Sequence, residues 1–239
     1  MITDIKAKID QIPPSIGAEG DFEYVKQTKL GQLFTADWKL RLLLAGKVWK
    51  VSIGAITAGN AITQVTGGGD GTVMDMEQPE FIVGVDAGYF LIPIAADVIV
   101  TSDTDAPDDF MEILLIMDRT NSCPTSATAT VATPINLLDG GGSFPGRAFT
   151  AVTVDIEDPV YDELLAYERY ETTAVVMAGI SANEDDAINS ILRMHYEPQV
   201  PSIGAGPCSI VCMWDGTVAT TGIACFTFAA VPISWFPTS

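Results

Sequence analysis

Apolar residues near the start of the chain recur at a helical spacing. Ile2, Ile5, Ile9 and Ile12 stand three or four positions apart, with Asp4, Lys6, Lys8 and Asp10 between them, the pattern of an amphipathic helix. Thr3 or Asp4 lies near its cap, and Pro13-Pro14 ends it, because proline has no amide hydrogen to donate and its ring clashes with the preceding turn. A helix of about ten residues is marginal in water on its own. Its isoleucine stripe therefore needs a docking surface, on the chain's own body or on a neighbouring subunit.

Beyond residue 20 the period changes. Short runs rich in Val, Ile, Thr and aromatics alternate with Gly, Pro, Asn and Asp, as in antiparallel β proteins. The expected strands cover 22–28, 38–44, 47–57, 61–66, 80–85, 89–101, 110–118, 127–133, 147–156, 172–180, 188–196, 208–214 and 222–231. Breakers separate them at Gly67-Gly68-Gly69-Asp70-Gly71, at 103–109 and at Gly140-Gly141-Gly142-Ser143-Phe144-Pro145-Gly146. Asp158 in an N-cap position, Pro159 at the first helical position and Asp162-Glu163 in the first turn predict a short helix over 159–169. At 182–196 a capping box, Ser181 with Glu184, competes with the strand-like alternation of Leu192, Met194 and Tyr196. The chain thus divides into an N-terminal helix or arm, residues 1–20, and a β body, residues 21–239.

Charge narrows the functions open to this body. The 239 residues are 48% hydrophobic and 18% charged, which supports a full core and excludes disorder. Twelve basic against 31 acidic residues leave a net charge of −19, which repels phosphate backbones and anionic membrane surfaces, so direct nucleic-acid binding by the body is not expected. The distribution is uneven. Residues 1–50 hold eight basic residues, Lys26 and Lys29 among them, and six acids, whereas the remainder has four arginines, no lysine and 25 acids. Either solvated lysines happen to cluster there, or the first 50 residues form an attachment arm in different surroundings. No uncharged apolar run reaches 18 residues, so no membrane-spanning helix is expected. The first residues lack the order of a secretory signal, which points to synthesis and retention in a cytoplasm.

Candidate chemistry is thin. His195 is the only histidine, so any Ser-His or Cys-His mechanism must run through it, and no Gly-x-Ser-x-Gly elbow accompanies it. It reads as an ordinary side chain at a strand edge. Cys123, Cys208, Cys212 and Cys225 are too sparse for a disulfide scaffold, and Cys208 and Cys212 share one face of a strand. They read as reduced core thiols. The acidic segments 103–109 and 183–186 offer oxygen donors for Ca²⁺ but match no EF-hand loop, and read as solvated loops. Trp38, Trp49, Trp214 and Trp235 serve either as core residues or as a sugar-stacking platform. The expectation is a protein with no catalytic residue, metal or cofactor.

Mean hydropathy is high, +0.29. Together with the large charge this implies broad apolar surface areas, which in a soluble chain mark subunit contacts. The uncharged stretch 226–237, with Trp235 and Phe236, either fills the core or lies against a partner. Ile2, Ile5, Ile9, Ile12, Lys26, Lys29, Trp235 and Phe236 are therefore the candidate interaction residues.

The run from Pro79 through Asp86-Ala87-Gly88 to the Ile92-Pro93-Ile94 segment and Val100, followed by Met111–Ile116, resembles the hairpin that opens the jelly roll of many viral capsid proteins. The resemblance covers about 40 residues. It implies an all-β jelly-roll or related antiparallel β-sandwich with one or two short helices, serving as a capsid, spike or head-decoration subunit. The implied partners are copies of itself, with a trimer favoured, and other virion proteins; the implied location is the virion, after synthesis in the host cytoplasm. Such capsid proteins often carry an arginine-rich arm for the genome, and this N-terminus is only mildly basic, which favours anchoring to protein. A carbohydrate-binding or carbohydrate-cleaving β-sandwich and a trimeric adhesin or surface-layer subunit are the alternatives.

Overall fold

Three runs, Phe81–Val85, Phe110–Asp118 and Cys208–Gly216, are apolar at nearly every position instead of at alternate ones. Side chains of a strand point to both faces in turn, so such runs are stable only where both faces of their sheet are covered. The computed structural model describes residues 38–56, 62–63, 65–66, 78–103, 110–120, 123, 129–152, 162–171, 189–216 and 220–235, and it meets this demand.

The chain forms α1 (Trp38–Leu44), then β1 (Val48–Ile53), β2 (Ala55–Ile56), β3 (Ile62–Thr63), β4 (Val65–Thr66), β5 (Phe81–Val85), β6 (Tyr89–Asp103) and β7 (Phe110–Asp118). It continues through β8 (Thr130–Val131), β9 (Ile135–Asn136), β10 (Gly146–Thr150), β11 (Glu163–Glu171), β12 (Asn189–Tyr196), β13 (Gly204–Ala205), β14 (Cys208–Gly216) and β15 (Thr220–Pro232), and ends in a 3₁₀ turn, Ile233–Trp235. Among the described residues these strands build two large antiparallel sheets. One runs β12-β6-β15-β1-β9, with β13 on β6 and β4 on β15; the other runs β11-β7-β14-β5-β10-β8. Eight of these strands nest: β1 pairs with β15, β5 with β14, β6 with β12 and β7 with β11. The architecture is an all-β sandwich.

The inner faces supply one core. Phe81, Val83, Met111, Ile113, Leu115, Ile210, Cys212 and Trp214 from one sheet meet Trp49, Val51, Val98, Val100, Phe226 and Phe228 from the other. Phe81 stacks on Phe226 at 4.1 Å between ring centres, and Phe144 packs edge-on against both Trp49 and Phe228. The outer faces are apolar too. Ile82, Leu114, Ile116, Val211 and Met213 form a second cluster with Phe149 of the neighbouring strand β10, joined by Cys123 and Val152. On the opposite sheet Val48, Ile92, Ile94, Ala229 and Val231 form a third, covered by Trp38, Leu42 and Leu43 of α1 and by Trp235. Each large apolar side chain buried in this way contributes about 1.5–3 kcal/mol, so these covers are a substantial part of the fold's stability.

Where polar groups are buried, they tie ends to strands. Glu80 accepts the Trp214 amide hydrogen at 2.8 Å, and Asp118 accepts both the amide and the hydroxyl of Thr120 at 2.7 and 2.6 Å, closing the turn after β7.

Three local expectations give way to tertiary structure, and one segment left open between helix and strand is decided by it. Residues 38–44, read as a strand, form α1: Leu, Lys and Arg are good helix formers, and Trp38 and Leu42 share a face. The helix stops at Gly46, with φ +65°, whose amide bonds Leu43 O while that of Lys47 bonds Leu42 O, a Schellman closure. Residues 163–171, read as the body of a helix over 159–169, form β11 instead; pairing with β7 outweighs an acidic, proline-led start signal. The presumed hairpin of 79–100 is an arch, for β5 and β6 lie in different sheets and Asp86-Ala87-Gly88 carries the chain between them. At 182–196, the described part 189–196 is the strand β12. Pro93 is accommodated at a register shift of β6 against β15, in the gap where β13 has ended and β12 has not begun. The expected helix over 1–20, the strands at 22–28 and 172–180, and the loops 67–71, 104–109 and 183–186 lie outside the described residues.

The cysteines are free; Cys123, Cys208 and Cys212 are buried, and Cys208 and Cys212 both face the inter-sheet core. Burial pushes the thiols of Cys123 and Cys208 up to about 11, and that of Cys212 up as well. A thiol kept neutral in the fold and free to ionise when unfolded leaves stability unchanged below its ordinary range. As pH rises from that range towards about 11, each such thiol lowers stability by up to about 1.4 kcal/mol per pH unit. The urea midpoint is therefore expected to fall between pH 8.5 and 10.5, and to fall less in a Cys123→Ala/Cys208→Ala variant; equal slopes would contradict the assignment.

Candidate functional site

Of the candidate interaction residues, Trp235 is the one inside the described set. Ile2, Ile5, Ile9, Ile12, Lys26, Lys29 and Phe236 lie outside it. Trp235 ends the 3₁₀ turn that follows β15, and the turn is held by the Ile233 amide on Gly88 O at 2.9 Å. Its indole joins Trp38, Leu42 and Leu43 over the outer apolar face of β1, β6 and β15. Lys47 lies 5.6 Å above the Trp235 ring, and Lys39 lies 5.6 Å above that of Trp38. Two of the N-terminal lysines thus cap tryptophans through cation–π contact. The uncharged C-terminal stretch serves as core as far as Trp235: Phe226 and Phe228 point inward, Ala229 and Val231 outward under α1.

A charged network pins the start of α1 to the other side of this face. Lys39 Nζ contacts Glu197 Oε1 at 2.6 Å, Glu197 Oε2 lies 3.8 Å from His195 Nε2, and His195 Nδ1 meets Asp97 Oδ1 at 2.6 Å. Asp97 on β6 and His195 on β12 are direct cross-strand partners, which sets that contact. Hydrogen bonding and charge from Lys39 hold the Glu197 carboxyl below its ordinary range. His195 is exposed on an edge strand and flanked by two carboxylates, an arrangement suited to a surface ion cluster.

A second organising point is Arg119. Its backbone amide donates to Asp162 Oδ2 at 2.6 Å, while its guanidinium donates to Ile203 O at 2.7 Å and to Glu163 Oε2 at 2.8 Å. Ser202 also hydrogen-bonds Glu163. One arginine therefore joins the end of β7, the start of β11 and the segment leading to β13. Tyr196, half-buried nearby, has its hydroxyl pushed up to about 12, by burial first and then by Glu163. Neither Lys39–Glu197 nor Arg119 emerges from reading the chain; the available signal for Arg119 is that it is one of just four cations after residue 50.

The tryptophans divide. Trp49 and Trp214 are 2% and 1% exposed and belong to the inter-sheet core, so neither offers a ring to a ligand. Trp38 and Trp235 cover the third cluster. Much of the apolar sequence expected at the surface is thus covered within the chain. What remains exposed has a clear distribution. Among the described residues the large exposed apolar side chains lie on α1, on β8 and β9 with 137–138, and on β11, β12 and 200–203; the middle strands expose none. These are the two lateral edges of the sandwich and the helix lying across it.

No family model matches this chain, and no curated protein is similar to it.

Replacing Trp235 by alanine uncovers Val231, Ile92 and Lys47. The expected result is a loss of about 1–3 kcal/mol in urea unfolding with increased binding of an apolar dye; unchanged values for both would show that Trp235 does not cover this face.

Proposed function

We propose that this chain is a non-enzymatic virion structural subunit, a capsid, spike or head-decoration protein, whose sandwich is a jelly roll. The observation that carries the reading is the nested pairing of eight strands. First pairs with eighth, second with seventh, third with sixth and fourth with fifth, and the pairs are divided between two facing sheets. That is the connectivity of a long hairpin rolled over on itself, the jelly-roll plan used by viral capsid domains, lectins and others. A fold does not by itself name a function. The burial of Trp49 and Trp214 removes two of the four candidate sugar-stacking tryptophans, and apolar side chains concentrated along two edges favour a subunit that meets copies of itself. The sequence resemblance of residues 79–118 to capsid jelly rolls is a second support, although β5 and β6 do not pair as the hairpin it implied.

On this reading the body self-associates about a symmetry axis, with a trimer favoured, and residues 1–20 attach it to neighbouring virion proteins. The subunit is made in the host cytoplasm and resides in the virion. Light scattering and negative-stain microscopy of the purified chain test this. The expected result is a closed symmetric oligomer or particle, and deletion of residues 1–20 is expected to leave a folded body that no longer builds the larger assembly. A monomer at all concentrations would overturn the self-association, and unchanged assembly of the deletion would overturn the arm.

A further inference from the structure

The two lateral edges differ in a way that specifies how copies meet. At the edge formed by β9, Ile135 is 68% exposed and stands directly opposite Lys50 of β1, so the two side chains share a face. Leu137 follows, its amide bonded to Val48 O, and Leu138 reaches Gly46 just beyond the exposed Leu44. Among the described residues the charges adjoining this apolar strip are Lys47 and Lys50 against Asp139. At the other edge Leu164, Tyr167 and Tyr170 are exposed along β11, and Ile203 and Val200 adjoin its start, where Arg119 bridges Ile203 to Glu163. Among the described residues, Asp97, Glu112, Asp162, Glu163, Glu168 and Glu197 stand there against Lys39, Arg119, Arg169 and Arg193, an acidic excess.

We infer that the β9 edge of one copy docks on the β11 edge of the next, a head-to-tail contact between copies of this chain. The inference rests on the self-association proposed above and names its surfaces. Charge decides the pairing. Two β9 edges brought together oppose lysines with lysines, and two β11 edges oppose acids with acids, whereas β9 against β11 joins apolar strip to apolar strip and basic rim to acidic rim. A contact between two different patches is heterologous, and it closes into a ring when the rotation between neighbours divides a full turn. The short β9 strand and the aromatic β11 strand are thus the two halves of one interface.

Mixing two edge variants tests the pairing. Ile135→Asp/Leu137→Asp adds acid to the β9 edge, and Leu164→Asp/Tyr170→Asp adds acid to the β11 edge; all four positions are exposed. Folding of each variant is checked by circular dichroism, and association by sedimentation velocity. Lys50→Glu, which removes no apolar group, is a milder third variant. Wild type is expected to form rings or larger assemblies, each double variant to be monomeric alone, and an equimolar mixture to give a one-to-one dimer through the intact edges. Lys50→Glu is expected to weaken wild-type association at least tenfold. If wild type assembles but the double variants assemble like it, or their mixture stays monomeric, the edge pairing is overturned while self-association stands. If wild type is itself monomeric, self-association falls and the pairing with it.

Discussion

The structure depends on strands that are apolar on both faces. Phe81–Val85, Phe110–Asp118 and Cys208–Gly216 form the middle of one sheet, and an antiparallel sandwich ordinarily leaves one face of each sheet to water. Here the second face must be covered as well. On one side Cys123 and Val152 pack with Phe149 of β10 against it, and α1 with Trp235 covers the other. Among the described residues, apolar packing extends from the inter-sheet core to the outer faces of both sheets. A mean hydropathy of +0.29 is accounted for largely by this packing.

That constraint also decides where surface chemistry lies. With both broad faces of the sandwich occupied by the chain's own segments, the edges are what remain. Edge strands present unpaired backbone groups, and proteins commonly guard them with charge. β11 carries Glu163, Glu168 and Arg169, and β12 carries Arg193 and His195. The exposed leucine and tyrosines among the β11 charges are therefore a departure from simple edge protection, and they support reading this strand as a contact surface. The cluster of Lys39, Glu197, His195 and Asp97 belongs to the same economy of parts: it fastens α1 to the end of β12 and to β6.

Much of the fold was legible along the chain. The strands around 47–57, 80–85, 89–101, 110–118, 208–214 and 222–231 follow from β-branched runs between breakers, and each has its counterpart in β1, β5, β6, β7, β14 and β15. The shared face of Cys208 and Cys212 was equally readable, whereas 182–196 carried competing helix and strand signals that pairing with β6 decides for 189–196. The misreadings have physical causes. Trp38-Lys39-Leu40-Arg41-Leu42 alternates like a strand, and the decisive Gly46 closure acts from outside that window. Asp158-Pro159 is a strong local start signal, but an eight-pair ladder with β7 exceeds what a cap contributes. The arch between β5 and β6 was invisible because a tight glycine turn looks the same whether its strands pair or part. For the candidate site, the tryptophan at 235 was found by its uncharged context, whereas Lys39–Glu197, 158 residues apart, depends on topology alone.

The most direct test of the doubly covered sandwich is native-state hydrogen exchange resolved by residue. The amides of β5, β7 and β14 are expected to exchange only through global unfolding, with α1 and the edge strands β11 and β12 opening at lower free energy. Exchange of β7 and β14 as fast as that of β11 would contradict the account, because it would mean that the second face of the central strands is open to water.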